Sequence, residues 1–339
     1  MAPRIWLGTL NFDYPYTSGS LSGSQAMHTA SQIVETFARM TEHVSSQDQK
    51  IYIDTAYYYG MSRTEKLLGE IFKAMDPNWQ SKLRVCGKAN PWHANQFETG
   101  KMGALSADGV LHQASTSLKN LGLDAFDTFL LHAYDYETPL AETLDACETL
   151  YRHERFHHFG ISNMSLAQLQ SVLEGCESRT LKLSTYQGMY NVMCRKVEPI
   201  IYKMHEIGGS FVAYNPLAGG MLTGKYNALP NTHPDTLNTL SDCRFKNNGI
   251  YQSIFWKDPM LDYCKKLKSP LSDALTWLTR HSLLDGLQGD GIVIGASTCE
   301  QLRTVLDSDS ILLSLDRAYV AQLQDWYDAI ADATPNYWY

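Results

Sequence analysis

The sequence predicts a (β/α)8 barrel, a closed ring of parallel strands in which each strand is followed by a helix. Two observations support this prediction: apolar runs of strand length alternate with helical patterns along all 339 residues, and there are eight such runs. A chain of this length suits one large barrel or two smaller domains. We expect a single barrel domain over residues 1–339, although a doubly wound sheet would alternate in the same way.

The predicted strands are short apolar runs bounded by polar, turn-forming or helical segments. They are Ile5–Leu7, Ile51–Asp54, Leu83–Lys88, Phe126–His132, His158–Ser162, Leu183–Gln187, Gly209–Tyr214 and Gly291–Ile294. Active sites of such barrels lie at the C-terminal ends of the strands. The polar residues at these ends are therefore the first candidates for chemistry.

The predicted helices are marked by capping signals and by apolar residues at helical spacing. Ser62 with Glu65 and Ser165 with Gln168 each match a capping box, and Gly122 is a stop signal after an apolar helical pattern. Further helices are predicted over Leu140–Arg155, Val197–Ile207, Pro270–Arg280, Cys299–Leu306 and Leu315–Ile330. The last of these is an extra C-terminal helix beyond the barrel pattern.

Two long segments interrupt the alternation, Asn90–Leu105 and Leu217–Ser269, and the second is rich in Asn, Thr, Pro and Gly. Loops this long in a compact domain are commonly functional. In the predicted barrel they follow the third and seventh strands, so both belong to the catalytic face.

Composition and charge restrict the class of protein. The 28 Lys and Arg residues against 36 Asp and Glu residues give a formal net charge of −8, and no basic stripe would attract nucleic acid or an anionic membrane. The seven cysteines are scattered without a C-x-x-C pair, and we find no signal sequence or membrane-spanning apolar run. We expect a cytoplasmic protein with reduced thiols and a small-molecule partner; a homodimer is left open.

Ionisable, hydroxyl or amide side chains end several predicted strands. They are Asp54, Lys88, His132, Ser162 with Asn163, and Gln187. Any one of them could be a local cap or a salt bridge at the edge of the core. Their convergence on one rim favours a catalytic site.

Longer motifs surround these residues: Ile53–Gly60 with Glu65–Gly69, Lys88, Leu130–His132, Gly160–Asn163, Tyr186–Gln187 and Ile294–Ser297. Together they resemble the aldo-keto reductases over nearly the whole chain. A second set resembles the aflatoxin-aldehyde reductase branch of that superfamily: Lys88–Trp92, Tyr186–Asn191, Asn215–Gly220, Leu222–Tyr226 and Pro335–Tyr337. The resemblance implies an enzyme that reduces an aldehyde or ketone with hydride from NADPH.

The resemblance implies a catalytic group of Asp54, Tyr59, Lys88 and His132. Hydride reduction leaves charge on the carbonyl oxygen, so the site needs a proton donor. A tyrosine alone is too weak an acid, but a nearby ammonium lowers its pKa. Lys88, paired with Asp54, would supply that charge, and His132 would orient the carbonyl. The tyrosines at 57–59 are consecutive, and the family's spacing from the aspartate implies that Tyr59 is the acid.

The resemblance also implies how NADPH binds. Ser162, Asn163 and Gln187 are expected to hold the nicotinamide carboxamide, and Tyr214 to stack on the ring. The other cofactor-binding candidates are Gly8, Thr9, Asp54, Asn215, Pro216, Leu217, Gly219, Met221, Lys225, Arg244, Gly295, Ser297, Thr298 and Gln301. No G-x-G-x-x-G motif follows a strand, so a Rossmann site is not indicated.

Small residues after Leu217 are expected to let the backbone approach the pyrophosphate, with Lys225 and Arg244 as cationic partners. Standing alone, Gly219 and Gly220 could also be a simple loop hinge. The resemblance favours the phosphate interpretation.

The adenosine phosphate is expected at a helix N-terminus that begins after Ser297 and Thr298. Gln301, Thr304 and Val305 depart from the family pattern for reading adenine and phosphate. We still expect NADPH to be preferred over NADH, but the sequence leaves the strength of that preference open.

An aromatic set is predicted to form the substrate pocket: Tyr58, Trp92, Tyr251, Trp256, Tyr337 and Trp338. Such side chains suit flat or apolar carbonyl compounds, although any one of them could simply pack the loops together. Related chains commonly end in an arginine that can pair with a carboxylate, whereas this sequence ends in Trp338 and Tyr339. We therefore expect aromatic or polycyclic carbonyl compounds to be reduced more efficiently than short carboxylated aldehydes.

Two alternative functions are weighed against this one. His153, Glu154 and His157 match the H-E-x-x-H zinc motif of metalloproteases, but that motif needs one continuous helix, and a strand is predicted to begin near His157. We therefore expect no metal ion. The other alternative is a non-catalytic barrel that binds a nicotinamide cofactor as a redox-responsive partner subunit.

Overall fold

The computed structural model describes residues 1–12, 23–42, 49–93, 102–227, 249–306 and 314–337. Eight parallel strands close into a barrel in chain order. They are β1 (Arg4–Gly8), β2 (Ile51–Asp54), β3 (Leu83–Ala89), β4 (Phe126–Leu131), β5 (Phe156–Ser162), β6 (Leu183–Met189), β7 (Ser210–Tyr214) and β8 (Gly291–Gly295). Since β1 pairs with β8, the predicted barrel is confirmed and the doubly wound sheet, which has open edges, is excluded.

The helices between the strands cover the outside of the barrel. They are α1 (Gly23–Thr41), α2 (Arg63–Ala74), α3 (Pro77–Gln80), α4 (Ala107–Leu121), α5 (Leu140–Arg152), α6 (Leu166–Glu177), α7 (Glu198–Glu206), α8 (Gly249–Phe255), α9 (Asp258–Lys266), α10 (Pro270–Thr276), α11 (Cys299–Leu306) and α12 (Arg317–Asp328). Across the described ranges, none of them is both long and apolar enough to cross a membrane. The predicted extra C-terminal helix is α12.

Two of the three capping predictions are confirmed. The Ser165 hydroxyl and the Gln168 side chain complete the capping box at the start of α6, and Gly122 ends α4 in the left-handed conformation. The capping box at Ser62 is wrong: Ser62 has a φ of 65° and makes no side-chain cap. Its hydroxyl instead donates to the carbonyl of Tyr57 at 2.8 Å, which braces the turn before α2.

The segment from 217 to 269 contains more helix than the sequence analysis predicted. A 3-10 turn covers Ala218–Thr223, and α8 and α9 follow in the described part of the segment. In α9 the buried side chains of Met260, Leu261 and Cys264 lie at helical spacing. The high content of Asn, Thr, Pro and Gly concealed this short apolar pattern.

Six buried apolar side chains pack together inside the barrel: Trp6, Tyr52, Cys86, Leu130, Val212 and Val293. Side chains two residues apart on a strand point to the same face. The next inward positions toward the C-terminal end are therefore Gly8, Asp54, Lys88, His132, Tyr214 and Gly295. These apolar side chains therefore lie directly below the predicted site residues.

Candidate active site

The centre of the site is a buried ion pair. Lys88 Nζ lies 2.6 Å from Asp54 Oδ1 and donates to the Thr55 carbonyl at 2.8 Å. The exposed fractions of the two side chains are 0% for Lys88 and 4% for Asp54. Burial, the largest single effect, lowers the pKa of Lys88, but Asp54, Tyr59 and Cys86 together outweigh it and hold that pKa above its usual range. Lys88 is therefore an ammonium at neutral pH.

Tyr59 begins the turn after β2 and contacts both neighbouring members of the predicted catalytic group. Lys88 Nζ lies 5.1 Å from the centroid of its ring, and the ring of His132 lies 5.8 Å away, edge to face. Burial raises the pKa of Tyr59, and Lys88 opposes this without reversing it. The expected lowering by Lys88 is present, but burial of the phenol, which the sequence does not report, exceeds it. Tyr59 consequently keeps its proton at neutral pH.

The neighbouring tyrosines have other contacts. Tyr57 packs edge to face on His112 at 6.5 Å between ring centroids. Tyr58 packs on Trp92 at 5.8 Å. Of these three consecutive tyrosines, Tyr59 has its ring beside the ammonium.

His132 is fixed through its backbone and leaves a ring nitrogen available. Its N–H donates to the Ala89 carbonyl at 2.8 Å, and its carbonyl accepts from Asn163 Nδ2 at 2.9 Å. Burial, aided by Lys88, holds the pKa of His132 well below its usual range, so the ring is neutral. Its Nδ1 is buried and has no hydrogen-bond partner among the described residues.

The residues predicted to hold a carboxamide meet beside this cluster. Asn163 Oδ1 accepts from the Tyr214 hydroxyl at 2.6 Å. Gln187 Nε2 donates to Asp54 Oδ1 at 2.7 Å, a contact that the sequence analysis did not predict. The Ser162 hydroxyl is buried and unpartnered within the described ranges. These hydroxyl and amide groups fit a nicotinamide carboxamide, which both donates and accepts hydrogen bonds.

The loop after β7 has an unusual backbone. Asn215, Ala218, Gly219 and Gly220 all have positive φ values, between 48° and 101°. Among the described residues, an added Cβ at Gly220 would meet nothing within 4 Å, so they leave this side of the loop open. Such a backbone can approach a phosphate closely.

The other predicted phosphate contacts on this loop differ in exposure. Pro216 is buried and Met221 is fully buried, whereas Leu217 is partly exposed. Lys225 is exposed, and its Nζ lies 5.6 Å from the ring of Tyr226. Arg244 lies outside the described residues.

The residues predicted to meet the adenosine phosphate cap a helix. Gln301 Oε1 accepts from the Ser297 N–H at 2.9 Å, and Thr298 Oγ1 accepts from the Gln301 N–H at 3.1 Å. Thr304 bonds within α11, to the carbonyl of Glu300. The Gln301 side chain is thus part of a local cap at the start of α11.

The strand ends nearest this helix bring three predicted cofactor contacts together. Gly8 and Gly295 are opposite each other in the pairing of β1 with β8. The Thr9 hydroxyl donates to the Asp54 carbonyl at 2.9 Å. An added Cβ at Gly8 would lie 2.7 Å from Val293, so packing of the strands also explains that glycine.

The structure brings part of the predicted aromatic set to the site. The ring of Trp92 lies 5.7 Å from that of His132, and Tyr58 packs on Trp92. The Tyr251 hydroxyl donates to Asn215 Oδ1 at 3.0 Å. After burial and Asp54, Tyr251 also raises the pKa of Tyr59.

The remaining aromatic residues have different surroundings. Trp256 packs edge to face on Tyr226, 5.7 Å away. Tyr337 is buried and hydrogen-bonds to the backbone of Leu166. Trp338 and Tyr339 lie outside the described residues.

Sequence reasoning did not assign a role to Asn191. Its Oδ1 accepts from the N–H groups of Met193 and Cys194, each at 3.0 Å. Its Nδ2 donates to the Asn215 carbonyl at 2.9 Å and so supports the loop after β7. The signal was present, because Asn191 ends the quoted motif Tyr186–Asn191.

The H-E-x-x-H match is not a zinc site. The helix α5 ends at Arg152, Glu154 has a φ of 55°, and His157 lies in β5. The two histidines therefore do not face one side of a helix, as zinc binding requires. Across the described ranges no group of three or more His, Cys, Asp or Glu residues could hold a metal ion.

The site combines a buried Lys–Asp pair, a tyrosine and a histidine at the C-terminal rim of a closed parallel barrel. Comparison of the sequence with known proteins gives the class of protein to which it belongs. The sequence model of the Aldo/keto reductase family matches residues 4–327. The chain belongs to this family, and it is an oxidoreductase that reduces carbonyl compounds.

Several individual proteins of known name are similar to this chain. The chain is 34% identical over 302 residues to aflatoxin B1 aldehyde reductase member 2 of Rattus norvegicus, covering 84% of this chain and 78% of the relative. It is 33% identical over 299 residues to aflatoxin B1 aldehyde reductase member 4 of Homo sapiens, covering 84% and 87%. A third relative, oxidoreductase sirO of Leptosphaeria maculans, is 30% identical over 344 residues, covering 99% and 97%.

Proposed function

We propose that the protein transfers hydride from NADPH to the carbonyl carbon of an aldehyde or ketone while Tyr59 protonates the carbonyl oxygen. The observation that carries this proposal is the position of the Tyr59 ring, 5.1 Å from the Lys88 ammonium and 5.8 Å from the ring of His132. A protonated phenol beside a fixed cation can donate a proton and then exist as a phenolate. The products are the alcohol and the oxidised cofactor.

Each residue of the group has a separate task. His132, neutral and with one N–H, donates a hydrogen bond to the carbonyl oxygen and orients it. Tyr59 gives its proton to that oxygen as charge develops on it. Lys88 stabilises the resulting phenolate, and Asp54 holds Lys88 in place at 2.6 Å.

We propose that NADPH, which supplies the hydride when bound, is held along the same rim. Ser162, Asn163 and Gln187 would hold its carboxamide, and Tyr214 would pack on its ring. The open backbone near Gly220 takes the pyrophosphate. NADPH is preferred over NADH, with a preference that the capping role of Gln301 weakens.

The proposed substrates are uncharged aromatic or polycyclic aldehydes and ketones. Trp92 offers ring surface beside His132, and Tyr58 packs on Trp92. Two relatives whose names specify an aflatoxin aldehyde support a polycyclic substrate.

The test measures oxidation of NADPH, and separately of NADH, with benzaldehyde, 1-naphthaldehyde and succinic semialdehyde. We expect NADPH consumption with a higher kcat/KM for the aromatic aldehydes, unaffected by a chelator. NADPH binding without turnover of any aldehyde would favour the non-catalytic alternative. A clear preference for succinic semialdehyde would overturn the proposed substrate class.

A further inference from the structure

Trp92 forms a wall of the site and lies four residues after Lys88, in the segment that follows β3. Its indole packs on His132 with 5.7 Å between ring centroids and on Tyr58 with 5.8 Å. The exposed fraction of Trp92 is 5%. The place of this indole therefore depends on how the segment from 90 to 92 is held.

The side-chain amide of Gln113, on α4, holds Asn90 through both backbone groups. The Asn90 N–H donates to Gln113 Oε1 at 2.9 Å, and Gln113 Nε2 donates to the Asn90 carbonyl at 3.0 Å. Gln113 Nε2 also donates to the Ala104 carbonyl at 2.9 Å. Both Asn90 and Gln113 are buried, so water does not compete for these bonds.

Two further hydrogen bonds complete the support of this segment. The Ala104 N–H donates to the Pro91 carbonyl at 3.0 Å. Asn90 Nδ2 donates to the Trp92 carbonyl at 2.8 Å. The carbonyl groups of Asn90, Pro91 and Trp92 thus all accept a bond, which leaves this short loop little freedom.

Asp135, in the loop after β4, anchors the other side of the support. Its carboxylate accepts from the Gly103 N–H at 2.9 Å and from the Leu105 N–H at 3.0 Å. It also accepts from the Thr138 hydroxyl at 2.9 Å. Ala104 lies between these two amides. Its N–H is thereby held against the Pro91 carbonyl and its carbonyl against Gln113 Nε2.

We propose that Gln113 and Asp135 are positioning residues that determine which carbonyl substrates this enzyme prefers. They fix the Trp92 indole against His132, where a large aromatic substrate would contact it. This inference rests on the proposed function. Neither residue touches the reacting groups, so a small aldehyde that does not reach Trp92 is unaffected by their loss.

The test compares 1-naphthaldehyde with propanal in Gln113→Met, which keeps the length of the side chain and removes its hydrogen bonds. We expect kcat/KM for 1-naphthaldehyde to fall about tenfold, mainly through KM, while kcat/KM for propanal stays within about twofold. Gln113→Glu retains the acceptor for the Asn90 N–H but places a carboxylate oxygen against the carbonyls of Asn90 and Ala104, so it is expected to lose at least as much. If Gln113→Met does not fold, Asp135→Asn gives the same comparison from the other side of the support.

A double-mutant cycle separates positioning from a general structural role. Trp92→Ala should lower the preference for 1-naphthaldehyde, and adding Gln113→Met should lower it no further. Asp290→Asn, at the opposite end of the barrel, is the control for loss of a buried hydrogen-bonding group and should leave the ratio of the two kcat/KM values unchanged.

Two outcomes overturn the proposal. Equal losses for both aldehydes in Gln113→Met, or independent effects of Gln113→Met and Trp92→Ala, would assign the two residues to folding alone. A wild-type protein that consumes NADPH with neither aldehyde would overturn the proposed function itself, and the two failures are therefore distinguishable.

Discussion

The two ends of the barrel each bury a carboxylate and surround it with different partners. At the C-terminal end, Asp54 accepts from Lys88 Nζ at 2.6 Å and from Gln187 Nε2 at 2.7 Å. Beside this cluster, Ser162 Oγ and His132 Nδ1 have no partner in the described part of the chain. Side chains supply most of the partners of the polar groups here. Two polar atoms remain available to a ligand.

At the N-terminal end, Asp290 precedes β8 and its side chain is fully buried. It accepts from the Phe211 N–H at 2.6 Å and from the Asp285 N–H at 2.8 Å, and His205 Nε2 lies 2.8 Å from its Oδ2. Both carboxylate oxygens are therefore bonded, mostly by backbone amides. One end of the barrel keeps polar groups ready for chemistry, and the other uses them to join strands and helices.

The largest expected effect comes from breaking the C-terminal cluster with Lys88→Met. This change leaves the Asp54 carboxylate buried without its cation, which costs about 3–5 kcal/mol of unfolding free energy. Urea unfolding measures it, and adding Asp54→Asn should restore part of the loss. A loss below about 1 kcal/mol would mean that the pair is as weak as an exposed salt bridge.

Glu65, on α2, is a third buried acid that can be compared with Asp54 and Asp290. Its carboxylate accepts a hydrogen bond from a side chain of α4 and lies outside both clusters. Its Oε2 accepts from the Ser117 hydroxyl at 2.8 Å, and burial raises its pKa from 4.5 to about 7. The folded state therefore holds this proton more tightly than the unfolded state. The contribution of Glu65 to stability is present below pH 4.5 and is lost as the pH rises through about 7.

Unfolding of the wild type and Glu65→Gln across this pH range tests that sign. We expect the wild type to lose about 3 kcal/mol relative to Glu65→Gln as the pH rises from 4.5 to 7. Glu70→Gln, an exposed change on the same helix, is the control and should not alter the dependence on pH. If the free energies of unfolding of the wild type and Glu65→Gln changed with pH in the same way, the raised pKa of Glu65 would be contradicted.

The smallest effect is expected from Asp290→Asn. Asn keeps one acceptor oxygen and replaces the other with an amide group, which leaves a buried N–H donor without its partner and destabilises the fold by about 1–3 kcal/mol. Because the residue lies far from the rim, kcat should change by less than about twofold. A large fall in kcat with unchanged stability would show that the two ends of the barrel are coupled.

The strands were predictable because each is a short apolar run, and several of them end in a polar residue that marks the catalytic end. Asp54, Lys88 and Ser162 illustrate this, since each ends its predicted strand and lies in or beside the buried cluster. The pattern is local, so one sequence suffices to find it.

The contacts that fix the site could not be predicted in the same way. The bond from Gln187 to Asp54 joins residues 133 positions apart, and no local pattern reports it. The net rise in the pKa of Tyr59 depends on burial by the surrounding chain. Ser62 matched a capping box, yet the turn carrying Tyr59 places it in a left-handed conformation, so tertiary structure overrode the local signal.

The central claim is that Tyr59 is the proton donor, and Tyr59→Phe tests it most directly. This change removes one hydroxyl and keeps the ring on which Lys88 and His132 pack. We expect kcat for 1-naphthaldehyde to fall by at least ~10² while the Kd of NADPH changes by less than about twofold. Tyr57→Phe removes the same hydroxyl two residues earlier in the sequence. It is the matched control and should retain the wild-type kcat. A Tyr59→Phe variant that keeps most of its kcat would contradict the account and assign the proton to another donor.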